Sequence, residues 1–347
     1  MLLQLSIDDE VVAPYTPVTH ATTGAGASES LHIALLNRRV TVGPDGLPSA
    51  VQVIRPPSAH GVIATRTIEL LAKPVSLVFI QAGAPLPMKV TTPSHVTKSS
   101  AATVGWSAEF VCGPARVVLN GSLHMDGYLD FVFELSDASI PTDDENDDGA
   151  SFLLDDIQLE IEWLPQPDEL SGMMLMGMGV VSGPVEKNTS VAWHWSTYTK
   201  NNFMWAGTAS AGMKLQLKDD NDLHRDAAIK SYSVLPLTWD NKGRGGTNIT
   251  AVAASAGASA LGTKAVAFTG PYTLPPKVEP PLSNGSRVFR FDLSVTPFRA
   301  RNESQHWGLR HFQVGYPAAT FTSAAAVAKT GATVVNIHQG RSTIVQY

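Results

Sequence analysis

One pattern constrains this chain more than any other. Through its first three hundred residues apolar side chains recur at every second position, and no segment before about residue 318 holds a helical spacing over three turns. The clearest case is LDDIQLEIEWLP, where Ile157, Leu159, Ile161 and Trp163 alternate with Gln158, Glu160 and Glu162. Successive side chains on a strand point to opposite faces, so this segment is a strand with one face on a core and the other wet. LHIALLNRRVTVGPDGLPSAVQVI reads as two strands, a Gly-Pro-Asp-Gly turn and a third strand. KPVSLVFIQAG and RVFRFDLSVTPF read as strands. ARVVLNGSLHMDGYLDFVFELS reads as a meander turning at Asn120-Gly121 and Asp126-Gly127. SVAWHWSTYTKNNFMWAGTASAGMKLQL reads as a hairpin followed by a further strand. So many strands with one apolar face each predict a mainly β fold, a large antiparallel β-sandwich of two layers.

Composition is consistent with this. The 347 residues suffice for two domains and a large core, and 44% of them are hydrophobic. Only 16% are charged, which favours strands and turns over surface helices. The net charge of -6, without any dense Lys/Arg run, argues against nucleic acid as a partner. The single cysteine, Cys112, excludes an intrachain disulfide and any CxxC motif, and reads as a small buried apolar residue. MLLQLSIDDE has no basic start and no long apolar run, so no signal peptide is expected in this chain. The longest apolar run, Gly172 to Val181, is too short to span a bilayer, which takes roughly 20 residues. Sequons at Asn120, Asn188, Asn248, Asn284 and Asn302 favour a secretory or extracellular setting.

The sandwich is expected over residues 1–304. An acidic hairpin insertion falls at 141–156, an Ala/Ser/Gly-rich loop at 250–264, and a proline-rich loop follows it. Near Gln305 the character changes. HWGLRHFQVGYP reads as a strand, Thr322 or Ser323 can cap an alanine-rich helix ending at Gly331, and TVVNIHQG reads as the next strand. Strand, crossover helix and strand form a parallel β-α-β beginning over 305–347.

FMWAGTASAGMKLQLKD, LPLTWDNKGRGG, FRFDLSVTPFRA, HWGLRHFQVGYP and VVNIHQG occur in this order, preceded by RRVTVGPDGLPSAVQV and MDGYLDFVFELS. Together they resemble the glycoside hydrolase family 123-like proteins, related to β-N-acetylgalactosaminidases, from roughly residue 30 onward. The resemblance implies a sandwich followed by a (β/α)8 barrel, of which 305–347 would be the incomplete start; a whole barrel takes about 250 residues. It implies action on N-acetylhexosamine glycosides. The substrate's own acetamido oxygen would attack the anomeric carbon, one carboxylate of an adjacent Asp-Glu pair orienting it and the other serving as acid and base. The pairs Asp9-Glu10, Asp144-Glu145 and Asp168-Glu169 all precede the barrel segment and match none of the family's positions, so no catalytic residue is assigned and the chain alone is expected to be inactive. The alternative is a non-catalytic carbohydrate-binding or structural β-sandwich. Two parallel strands and a helix without the rest of a barrel would also expose apolar surface around Val334 and Ile337, open to self-association.

Three groups of residues are candidates for binding. On the second barrel strand Asn336 and His338 share a face, and with Gln339 they would reach the rim where such barrels hold substrate; His311 and Gln313 do the same on the first strand. The bland reading is that these polar groups satisfy one another. Trp193, Trp195 and Trp205, with Tyr198 and Phe203, could form an aromatic platform for sugar rings, or serve as core and cross-strand pairs. Asp144, Asn146, Asp148 and Asp155 follow a calcium-loop spacing with Gly149 at the turn, although the last ligand is Asp instead of Glu and no helices flank the loop. A solvated acidic hairpin tip is the competing reading. Apart from calcium no cofactor is expected. WDNKGRGG and GMGVVSG lack the context of phosphate or dinucleotide loops, and GxSxG, HExxH and Walker motifs are absent.

Overall fold

The computed structural model describes residues 10–24, 29–55, 65–137, 153–164, 174–177, 180–184, 190–194, 203–208, 211–218, 239, 246–252, 262–268, 272–273, 288–297, 312–315, 333–336 and 343–346. The chain divides into two compact units, residues 1–55 with 67–299, and residues 56–66 with 300–347.

The larger unit is built from antiparallel sheets. A five-stranded sheet runs β1 (Thr19–Thr23), β2 (Ser30–Leu35), β3 (Arg38–Val42), β4 (Pro48–Arg55) and β5 (Arg66–Glu69). A nine-stranded sheet has the order β15 (Val180–Pro184), β14 (Met174–Gly177), β17 (Phe203–Gly207), β18 (Gly212–Lys218), β22 (Val288–Thr296), β11 (Tyr128–Asp137), β10 (Ala115–His124), β9 (Thr103–Cys112) and β8 (Met88–Ser99). A six-stranded sheet has the order β16 (Ser190–His194), β19 (Gly246–Val252), β20 (Gly262–Phe268), β13 (Asp156–Trp163), β6 (Ser76–Gln81) and β7 (Ala84–Pro85). A short pair joins β12 (Leu153–Leu154) to β21 (Tyr272–Thr273).

The period-two pattern decides which face of each strand is buried. On β13 Ile157, Leu159, Ile161 and Trp163 are buried while the residues between them are half-buried. In the nine-stranded sheet Phe110, Val117, Leu119, Phe131, Phe133, Leu215, Phe289, Phe291 and Leu293 point inward, and with the apolar faces of the other two sheets they form one continuous core. Phe131 lies opposite Phe291 and Phe133 opposite Phe289 in the β11–β22 register, and each pair stacks, with ring centroids 4.6 and 5.0 Å apart. Trp239 sits edge-on to Phe133 and Phe289, and its Nε1 donates to the Arg290 carbonyl at 2.9 Å. These pairs bury large aromatic area and hold the two strands in one register.

The turn read at Gly43–Gly46 closes β3 on β4, with Gly46 at φ +83°. The turn at Asp126-Gly127 is also present. Gly127 takes φ +88°, and the buried Arg38 side chain lies 3.1 Å from where its Cβ would stand. Arg38 donates to the carbonyls of Leu36 and Pro297, and burial pushes its pKa down to about 10.

Three expectations are corrected here. Asn120-Gly121 is not a turn but mid-strand in β10, paired to β9 and β11 on either side, with Gly121 lying beneath the Trp106 ring. The expected loop over 250–264 instead begins and ends in strand. β19 and β20 pair from Gly246↔Phe268 to Val252↔Gly262, between β16 and β13, and neighbours on both sides override a weak local propensity. The stretch read as one hairpin around Trp193 and Trp205 divides between sheets, β16 pairing with β19 and β17 with β14 and β18.

In the smaller unit three strands are described: β23 (Phe312–Gly315), β24 (Thr333–Asn336) and β25 (Thr343–Gln346). β25 lies between the other two and pairs antiparallel with both. The direct parallel pairing expected of a barrel start is therefore not present among the described strands. The helix expected between β23 and β24 lies outside the described residues. No described helix is long and apolar enough to cross a membrane.

Candidate functional site

The outer face of the nine-stranded sheet carries the charged chemistry. Because the inward residues of β11, β22 and β18 are odd-numbered, the even-numbered ones share the opposite face. The register aligns them in rows. Trp205, Lys214, Ser294 and Tyr128 form one row across four strands. Gln216, Asp292 and Asp130 form the next, and Lys218 and Arg290 follow.

These rows meet at Asp292. Its side chain is only 2% exposed, and Lys214 Nζ lies 3.2 Å from Oδ1 and Lys218 Nζ 3.6 Å from Oδ2. Lys218 also reaches Asp130 Oδ1 at 3.2 Å, and Arg290 reaches Asp130 Oδ2 at 3.3 Å. The Tyr128 hydroxyl lies between the carboxylates, 3.5 Å from Asp130 Oδ1 and 3.4 Å from Asp292 Oδ2, and accepts a hydrogen bond from Lys218. Lys214 donates to Gln216 Oε1 at 2.7 Å.

Burial sets the electrostatics. It pushes the Asp292 carboxyl above its ordinary value, against the pull of Lys214 and Lys218. Burial and the nearby carboxylates push the Tyr128 hydroxyl up to about 12. Burial opposes the Lys218 charge, yet Tyr128, Asp130 and Asp292 together raise its pKa. A buried carboxylate is costly unless its lone pairs find donors, and Asp292 Oδ1 has an ion-pair partner in Lys214 but no aligned hydrogen bond.

Trp205 closes one end of the first row. Its Nε1 donates to Thr296 Oγ1 at 3.0 Å. A Cβ on Gly212 would stand 2.6 Å from its Cζ2, and one on Gly207 3.0 Å from the same atom. The indole therefore lies flat on the backbone of the β17–β18 hairpin, and only glycine at these two positions admits it. Thr208 N donates to Ala211 O at 2.8 Å and fixes the hairpin's end.

Of the platform candidates, Trp205 and Phe203 have described side chains, both half-buried on β17. Trp193 lies on β16 in the six-stranded sheet, not beside Trp205 in the nine-stranded one, and Trp195 and Tyr198 lie outside the described residues. Gln313 and Asn336 fall on β23 and β24, separated by β25, while His311, His338 and Gln339 lie outside the described residues. Of the calcium candidates, Asp144, Asn146 and Asp148 also lie outside them. Asp155 Oδ2 accepts from Gly83 N at 2.7 Å, tying the β12–β13 corner to the β6–β7 turn. Among the described residues no cluster of His, Cys, Asp and Glu could hold a metal.

Sequence reasoning missed the Asp292 network. Its only trace was alternation in FRFDLSV and MKLQLK, where charged residues take the non-core positions as they do on any wet face.

The family model described as glycoside hydrolase 123, third domain, matches residues 27–297. No curated protein matches the chain. Among solved structures, Slr1438 from Synechocystis sp. PCC 6803 is 9% identical, covering 79% of this chain and 98% of its own, with a TM-score of 0.41. A galactose mutarotase related enzyme from Lactobacillus acidophilus is 6% identical over 81% of this chain and 98% of its own, with a TM-score of 0.43. An aldose epimerase homologue from C. elegans is 8% identical over 82% and 100%, with a TM-score of 0.37. Likeness at this level says nothing of what this chain binds.

Proposed function

The chain belongs to the glycoside hydrolase 123 family, and on that footing we propose that it is the sandwich-bearing portion of a glycoside hydrolase-like protein acting on N-acetylhexosamine glycosides, β-N-acetylgalactosaminides in particular. The observation that carries this reading is the span of the match, which coincides with the large β unit and includes its whole charged face. The chemistry that fits is substrate-assisted. The acetamido oxygen attacks the anomeric carbon, one carboxylate holds the acetamido group, and a neighbouring one protonates the leaving oxygen and then activates water. This departs from the scheme in which a protein carboxylate is the nucleophile.

Asp130 and Asp292 are not offered as that pair. They come from different strands, and Lys218 engages both. Such a cluster orients and binds; it does not shuttle protons freely. Asn336, His338, Gln339, His311 and Gln313 stand as candidates for hydroxyl contacts, and a carbohydrate or glycoconjugate as the partner.

The test is a comparison of 4-nitrophenyl β-N-acetylgalactosaminide with the matching β-galactoside, measured on the purified protein for both turnover and binding. Preference for the acetamido sugar in either measurement supports the reading. Equal treatment of the two sugars in both sinks it. A second reading, a carbohydrate-binding sandwich without catalysis, is favoured by the cation-locked state of both carboxylates on this face, and binding without turnover would select it.

A further inference from the structure

We propose that the outer face of the nine-stranded sheet is itself a saccharide-binding site, with Trp205 as the stacking platform, Lys214 and Tyr128 as the groups that take sugar hydroxyls, and the buried Asp292 anchoring Lys214. This deepens the glycoside-directed reading above and rests on it for the class of ligand.

Three independent observations converge. The first is the posture of Trp205. One face of the indole is spent on the glycine backbones of the hairpin, and Thr296 fixes its rotation through Nε1. The residue is half-buried, so the ring is held rigidly and still keeps part of its surface open. A core tryptophan has both faces covered, as Trp106 does at 1% exposure. A ring pinned on a sheet that keeps part of its surface exposed is pre-organised to receive the apolar face of a pyranose, and pre-organisation lowers the entropy lost on binding.

The second is Lys214, whose ammonium is anchored 3.2 Å from the buried Asp292 Oδ1 while its side chain stays partly exposed. Sugar hydroxyl oxygens accept, and of the three donors on the Lys214 ammonium two are directed to Asp292 and Gln216, which leaves one for such an oxygen. The Lys214 side chain retains 27% exposure.

The third is spacing. Trp205 and Lys214 are direct cross-strand partners, and Tyr128 ends the same row two strands further on. Adjacent strands lie about 4.8 Å apart, so a ring stacked on Trp205 would place its hydroxyls at Lys214, whereas Ser294, between Lys214 and Tyr128, is buried. The ammonium of Lys214 in this row is balanced by the carboxylates of Asp292 and Asp130 in the next, so neither sign dominates and neutral, hydroxyl-rich sugars suit the face.

The test is calorimetric titration of the purified chain with two probes, an oligosaccharide of β-linked N-acetylglucosamine and a β-linked glucose oligosaccharide of equal length, with tryptophan fluorescence followed in parallel. Binding of at least one probe with a change in fluorescence is expected. Trp205→Ala should weaken it about tenfold or more and Trp205→Phe much less, while Lys214→Gln should weaken it by about threefold to tenfold. The melting transition of each variant shows whether it is folded. Should Trp205→Ala fail to fold, Lys214→Gln and Trp205→Phe, which leave the sheet packing in place, carry the test. Absence of binding by the wild-type chain to either probe at millimolar concentration overturns the site, as does unchanged affinity in every folded variant. Acetamido-selective binding that ignores these substitutions overturns the site but keeps the N-acetylhexosamine reading. Equal binding of both probes that depends on Trp205 keeps the site and removes that reading.

Discussion

Trp106 on β9 lies directly across from Gly121 on β10, and a Cβ on that glycine would stand 2.4 Å from the indole Cε2. The ring is held there from its other end, because its Nε1 donates to the Gly46 carbonyl at 2.9 Å in the β3–β4 turn. Gly46 in turn packs on Leu119 and Ala108. A single indole thus ties the nine-stranded sheet to the turn of the five-stranded one, and the glycine opposite it is a packing requirement.

Gly121→Ala should therefore destabilise the protein by about 1–3 kcal/mol, the usual cost of overpacking a rigid site. Urea unfolding followed by tryptophan emission reads this directly. A variant as stable as the wild type would mean that the ring can shift, and that the tie to Gly46 is weak.

The stacked pair Phe131–Phe291 sits between β11 and β22 in direct register. Phe291→Ala should cost about 3–5 kcal/mol, as for any large buried aromatic. A double-mutant cycle with Phe131→Ala should return a coupling of about 0.5–1.5 kcal/mol. Additive losses would show that area burial, and not the stacking geometry, holds these strands.

Burial raises the Asp292 pKa, so the folded state binds this proton more tightly than the unfolded one. The sign follows from linkage: the contribution is fully present below the ordinary carboxylate value near 3.8 and is lost as pH rises through the higher folded value. The wild type minus Asp292→Asn stability difference, measured across the acidic range, should fall with rising pH in that window. A flat or rising difference would show that the lysines outweigh burial.

Tyr128 gives the same sign at the alkaline end. Its hydroxyl is raised from 10.0 to about 12, so its contribution is complete below the lower value and lost as pH rises toward the upper one. An ultraviolet titration of wild type against Tyr128→Phe should show one phenol ionising well after the ordinary range near 10. Ionisation of the difference spectrum near 10 would place Tyr128 in solvent.

Cys112 is 1% exposed, and burial pushes its thiol up to about 12. The thiolate is the reactive form, so a disulfide reagent at neutral pH should label this residue only as fast as the protein opens. Labelling should accelerate through the urea transition. Rapid labelling of the native protein would contradict the burial of β9's end.

The strands of the sandwich were legible because alternation is local. Ile157, Leu159, Ile161 and Trp163 announce their buried face without reference to any other strand, and Cys112 reads as buried from residue type alone. Gly121 was misread because Asn-Gly is a turn signal when only neighbours are considered; the Trp106 ring that demands the glycine reaches it across the sheet. The Trp193–Trp205 hairpin was misread because adjacency in sequence stood in for pairing, whereas β16 and β17 find their hydrogen bonds in different sheets. Trp193 and Trp205 both lie on strands, as the alternation of their segments implies, but nothing local shows that Gly207 and Gly212 bed the Trp205 ring.

The sequence by itself determined that this is a β protein with one-sided strands, which turn residues close β3 on β4, and which family it resembles. All of these depend on side chains within a few positions of one another, or on order along the chain. The tertiary structure alone decided which strands became neighbours, and with that the charged site. Asp292 meets the Tyr128 hydroxyl across 164 positions of sequence and meets Lys214 from a third strand. Each residue taken singly reads in the sequence as an ordinary polar group at a non-core position of a strand. Only sheet order and register bring them within hydrogen-bonding reach, and pairing over such separations is set by the packing of the whole core and not by any local pattern.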